Sequence, residues 1–125
     1  MGKVRLREVF KSNEDNIDLD ITGIINKNKI IYKENDIKVT IVVFSNKILM
    51  NRLHDNYEID FIFEKGKRTN AIYKLTEYNK EFKLDIITTK LVISEKEISI
   101  IYNLEGNTFS YILKIGGSYD NWYIE

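Results

Sequence analysis

Three side chains in the first half of the chain carry groups whose placement folding alone does not explain: Tyr32 and Glu34 in "IIYKE", and Arg52 in "MNRL". A guanidinium offers a rigid fork of donors that matches a carboxylate or a phosphate. Arg52 is therefore a candidate anion anchor, and Glu34 a candidate counter-charge. Whether they meet depends on two short turn signals, "ND" at 35–36 and "SN" at 45–46. Read as two-residue hairpin turns, these pair Tyr32 with Val39, Glu34 with Ile37, and Arg52 with the same Val39. Paired residues share a face, so Tyr32, Glu34, Val39 and Arg52 point inward with Ile30, Ile41 and Met50, toward one end of the sheet. Two strand spacings, roughly 10 Å, separate Arg52 from Tyr32, and a long guanidinium side chain spans much of that gap.

Two readings follow from this placement. In the first, Glu34 neutralises Arg52 as an interior ion pair, because an unpaired buried charge costs several kcal/mol. In the second, Arg52 anchors the carboxylate or phosphate of a small ligand whose apolar body lies inside the sheet.

Other candidates are weaker. "FEKGKRTNAIY" holds Lys65, Lys67 and Arg68 around Gly66. A phosphate cradle needs several glycines opening onto a helix, whereas this stretch has one glycine between two strands and reads as a hairpin loop with Gly66 at positive φ. "EDNIDLD" offers four acidic residues, but a calcium loop starting at Asp18 would need a glutamate where Lys29 stands. His54, the only histidine, lies in the polar turn "RLHDNY". No Ser, His and Asp set and no paired carboxylates on dry faces emerge, so we expect neither an enzyme, nor a metal site, nor a cofactor.

The elements that position these groups are strands. Proline is absent and alanine occurs once, while β-branched and aromatic residues alternate with charged ones along most of the chain. "YEIDFIF" sets Tyr57, Ile59, Phe61 and Phe63 against Glu58, Asp60 and Ile62. "EISIIYNL" sets Ile98, Ile100 and Tyr102 against polar partners, and "TFSYILKI" does so with Phe109, Tyr111, Leu113 and Ile115. One dry and one wet face is the pattern of antiparallel strands. Short turn signals delimit strands at 3–12, 15–26, 29–34, 37–45, 47–53, 57–64, 69–76, 80–93, 97–104 and 108–115. The expected fold is all-β: one antiparallel up-and-down barrel of about eight to ten strands, closed so that no edge is exposed. A two-sheet sandwich is the alternative.

The totals set further bounds. A chain of 125 residues is the size of one domain, here a barrel over about 3–115 and an aromatic tail over 116–125 containing Tyr119, Trp122 and Tyr123. Nineteen basic and nineteen acidic residues cancel, so no global field draws nucleic acid or an anionic membrane. Without cysteine there is no disulfide, thiolate metal site or cysteine nucleophile. With no apolar run of about 18 residues and no signal-like start, the expectation is a cytoplasmic protein.

In order along the chain, "ITGIINKNKIIYKE", "ILMNRL", "FEKGKRTNAIY", "LDIITT" and "ISIIYNL" resemble the strands of the YwiB-like family of small uncharacterised bacterial β-barrel proteins. The likeness spans roughly 3–115, with matches at Thr22, Gly23, Tyr32, Glu34, Arg52, Gly66, Thr69, Tyr73 and Tyr102. It departs at His54, where the family tends to have glycine, and at "TEYN", where it tends to have Thr-Pro-Tyr-Gly; Asn79 can still supply the left-handed turn residue. The resemblance implies a lipocalin-like fold and carries no activity.

The resulting expectation is a non-enzymatic binder of a small amphipathic anion. Arg52, Glu34, Tyr32, Tyr73 and Tyr102 form its site, and Phe61, Ile100 and Tyr111 line its cavity. An interaction module with a filled barrel is the alternative, with Tyr119, Trp122 and Tyr123 covering a barrel end or a partner subunit, as in a homodimer. Single-stranded nucleic-acid binding is disfavoured, because no outward aromatic pair is evident for base stacking.

Overall fold

Alternation of apolar and polar residues dictates the architecture. The computed structural model, which describes residues 2–118, contains ten strands: β1 (Gly2–Lys11), β2 (Asn16–Asn26), β3 (Lys29–Glu34), β4 (Ile37–Val43), β5 (Lys47–Leu53), β6 (Tyr57–Glu64), β7 (Arg68–Leu75), β8 (Lys80–Ile93), β9 (Glu97–Leu104) and β10 (Asn107–Ser118). Each strand pairs antiparallel with its neighbour in sequence, and β10 pairs with β1, so the sheet closes into a lipocalin-like barrel. Closure replaces the two-sheet alternative. No helix forms among the described residues, and thus none there is long and apolar enough to cross a membrane.

The last strand continues past residue 115 to Ser118, which pairs with Val4 across a register shift that gives β10 one extra residue. A second bulge interrupts β8 between Thr88 and Lys90. Such insertions let a strand bend around a barrel. Tyr119, Trp122 and Tyr123 lie outside the described residues.

Inward residues from all around the barrel make one core: Leu6, Ile30, Val39, Ile41, Ile48, Phe63, Ala71, Ile86, Ile98, Ile100 and Leu113 are all nearly or fully buried. The turns carry the strained backbone. Asn35 and Asn79 adopt positive φ, as does Gly66 at 74°, conformations that asparagine and glycine tolerate best.

Two places depart from an even meander. β2 and β3 pair only over 24–26 and 29–31. There Gly23 sits against the neighbouring strand so closely that a Cβ would lie 2.5 Å from Leu6 Cδ1 and 2.9 Å from the Ile31 carbonyl oxygen. β6 and β7 pair only over 57–60 and 72–75. Beyond that the 65–67 turn leans onto β8 instead, with the Gly66 N–H donating to the Thr88 carbonyl at 2.8 Å.

Candidate functional site

The hairpin registers bring the three polar residues to one end of the barrel interior. Tyr32 and Arg52 both pair with Val39, and Glu34 pairs with Ile37. Arg52 Nη2 donates to Glu34 Oε2 at 2.5 Å, with the Glu34 side chain 5 % exposed and that of Arg52 18 %. Burial disfavours the Arg52 charge, but the Glu34 charge and hydrogen bond outweigh it, so its pKa stands above the ordinary value.

Tyr32 does not reach toward Arg52. Because Gly23 lets β3 press against β2, with Tyr32 Cβ 3.2 Å from where a glycine-to-alanine methyl would stand, the ring passes inward and its hydroxyl donates to Glu8 Oε1 at 2.5 Å. The Tyr111 hydroxyl lies 2.6 Å from that of Tyr32. With the Tyr32 proton committed to Glu8, Tyr111 is the donor in the second bond. Desolvation raises the pKa of both tyrosines, so both stay neutral.

Glu8 is the residue sequence reasoning missed. It is 0 % exposed. The sequence does contain a signal: in β1 the inward positions run Val4, Leu6, Glu8, Phe10, so a glutamate occupies a dry phase. Desolvation first, and then a hydrogen bond with Glu34, raise its pKa from 4.5 to about 8. As a carboxylate, its Oε2 would have no hydrogen-bond partner among the described residues. Two carboxylate groups cannot bond to each other without a proton. At neutral pH Glu8 is therefore the acid, Oε2–H donating to Glu34, and the cluster is a chain: Tyr111, Tyr32, Glu8, Glu34, Arg52.

Both ends of this chain face one cavity. A partly open, mainly apolar space of about 210 Å³ lies at the barrel end where β1, β2, β9 and β10 turn, with Arg52, Tyr102 and Tyr111 among its lining groups. Its aromatic wall is continuous: Phe10 stacks on Phe109 at 5.9 Å, Phe109 on Tyr102 at 5.3 Å, and Tyr102 lies 4.8 Å from Phe63. Burial raises the Tyr102 phenol to about 12, so it too presents a neutral hydroxyl. Phe61 also lines the space.

Two expected site residues are placed elsewhere. Ile100 is sealed in the core rather than lining the cavity. Tyr73 sits in the paired stretch of β6 and β7, opposite Ile59, and stacks at 5.8 Å on Tyr57 and 6.5 Å from Phe82, off the cavity lining. The basic loop forms surface ion pairs, Lys67 with Glu64 and Arg68 with Asp85. His54 belongs to its turn: Nδ1 accepts from the Asn56 N–H and Nε2 donates to Asp36, whose pKa it lowers. A larger cleft of about 550 Å³ between the β5–β6 and β7–β8 turns is open, of mixed polarity and lined by charges of both signs. Among the described residues no cluster of His, Asp and Glu could hold a metal ion.

Residues 4–118 match the family described as a domain of unknown function, DUF1934, and the chain belongs to that family. Among solved structures it is similar to the crystal structure of the YwiB protein from Bacillus subtilis, at 19 % identity and a TM-score of 0.62 over 90 % of this chain and 88 % of that one. At that identity the likeness bears on the fold. No curated protein is similar enough to match.

Proposed function

We propose that this DUF1934 member is a non-enzymatic carrier or sensor of a small amphipathic anion, held with its apolar body in the barrel cavity and its head at Arg52. The observation that carries this reading is the pairing of an apolar cavity of about 210 Å³ with a guanidinium in its wall. An apolar cavity of about 150 Å³ accepts benzene, and drug-sized sites begin near 300 Å³. The size thus suits a medium-chain carboxylic acid rather than a long-chain lipid. Tyr102, with its neutral hydroxyl, supplies a second polar contact beside an aromatic wall that suits an alkyl or aryl body. The reading also places the protein in the cytoplasm, where such metabolites occur.

A thermal-unfolding comparison tests it. At a hundredfold excess over Kd a ligand bound only by the folded state adds about 2.7 kcal/mol, which is several degrees in Tm for a domain of this size. Octanoate or decanoate should raise the Tm of the wild type, and Arg52→Met should lose that gain. No shift from any medium-chain carboxylate, sulfate or phosphate ester would refute the reading.

A further inference from the structure

The cluster behind the cavity contains more acid than it can ionise. Glu8 from β1 and Glu34 from β3 flank one cation, Arg52 from β5, and the remaining groups facing Glu8 are the neutral phenols Tyr32 of β3 and Tyr111 of β10. Tyr102 of β9 completes the ring of titratable groups around the cavity. With one proton held between the two carboxyl groups, the cluster carries Arg52 positive and one carboxylate negative, a net charge of zero.

We propose that the ligand is taken up together with a proton: an anion that lodges against Arg52 displaces the charge role of the carboxylate pair, which then binds a second proton. The inference rests on the anion-binding reading above. Charge balance is its basis. An anionic head in this water-poor site would leave two negative charges facing one guanidinium, and a like charge nearby favours the neutral acid. Protonating the second carboxyl restores neutrality: Arg52 pairs with the ligand, and Glu8 and Glu34 are both acids. Glu8 has no solvent contact of its own. It exchanges protons through Tyr32 and Tyr111, and Tyr111 lines the same cavity as Arg52. The route for the proton therefore begins where the ligand enters.

No covalent chemistry is involved; one proton leaves water and one oxygen–hydrogen bond forms on the pair for each ligand bound. The same equilibrium results if the ligand arrives as its neutral acid and transfers its proton. Affinity for an ionised carboxylate should accordingly rise about tenfold for each unit fall in pH, the slope of a one-proton linkage.

Isothermal titration calorimetry with octanoate as probe tests the idea. Titrations at pH 7 in bis-Tris and in Tris, neither of which brings a phosphate to Arg52, differ in observed enthalpy by the number of protons bound times the difference in buffer ionisation enthalpy, and the expected number is close to one. The Kd should tighten about tenfold from pH 7 to pH 6, while octan-1-ol, with the same body and no charge, should bind without pH dependence. The double variant Glu8→Gln/Glu34→Gln should bind octanoate with no proton uptake and a flat pH profile. If that variant does not fold, the two-buffer measurement on wild type decides alone. Octanoate binding without proton uptake overturns this inference and leaves anion binding standing. Equal pH dependence for octanol and octanoate overturns it too, since the head group is then irrelevant. No binding of octanoate at any pH removes both readings.

Discussion

Replacing Glu8 by glutamine should make the protein more stable at neutral pH, although the substitution falls in the middle of the core. In the unfolded chain Glu8 titrates at its ordinary 4.5, and in the folded barrel at about 8. Between those values the folded state holds a proton that the unfolded state has released, so stability declines as pH rises. Below 4.5 both states are protonated, and above 8 both are ionised, and the dependence ends at each limit. Each pH unit in the window is worth about 1.4 kcal/mol, which amounts to about 5 kcal/mol across it and about 3 kcal/mol at pH 7. That is a large share of the roughly 5–15 kcal/mol that holds a domain together. Glutamine keeps the shape and both bonds: its amide nitrogen donates to Glu34 as the acid Oε2–H did, and its oxygen accepts from Tyr32. It has no proton to gain. Urea unfolding of wild type and Glu8→Gln at pH 5, 6, 7 and 8 should show curves that nearly meet at pH 5 and separate to about 3 kcal/mol in favour of the variant by pH 7. A constant difference across that range, or a variant less stable than wild type at pH 7, would refute the buried-acid assignment.

Glu34→Gln should cost less than the roughly 3–5 kcal/mol usual for breaking a buried ion pair, because Glu8 can ionise and take over the counter-charge; chemical denaturation of the double Gln variant should show a loss exceeding the sum of the singles. Gly23→Ala should cost about 1–3 kcal/mol by overpacking, since the added methyl meets the Ile31 carbonyl at 2.9 Å, and it should also disturb the Tyr32–Glu8 bond, visible as a shifted pH dependence of unfolding. Changing Lys65, Lys67 and Arg68 together to glutamine should leave the unfolding midpoint nearly unchanged, as exposed ion pairs contribute about 0–1 kcal/mol each, whereas Gly66→Val should lower it, a branched residue being strained at a φ of 74°.

What the sequence revealed and what it hid divide along the range of the interactions involved. Strand alternation and two-residue turns are local, and they suffice to set the register that puts Tyr32 and Arg52 opposite one Val39. Thus the Arg52–Glu34 meeting is legible from hairpin geometry. The parting of β6 and β7 is hidden for the opposite reason. The 65–67 turn hydrogen-bonds to Thr88, more than twenty positions along, and beyond Asp60 and Ile72 β7 no longer pairs with β6. Glu8 falls between the two cases. Its inward phase is written in "VRLREVF" beside Val4, Leu6 and Phe10, yet Arg5 and Arg7 on the other face make the run read as an ordinary charged strand. Only closure of the barrel, which sets β1 beside β10 and brings Tyr111 to Tyr32, supplies the neighbours that make a buried glutamate tolerable. Gly23 links these levels: without a side chain there, β3 can approach β2 closely enough for Tyr32 to reach Glu8. A glutamate accepted in the core at the cost of carrying a proton, placed one carboxyl away from the cavity's only lining cation among the described residues, is difficult to explain as scaffold alone, since glutamine would satisfy the same two bonds with greater stability.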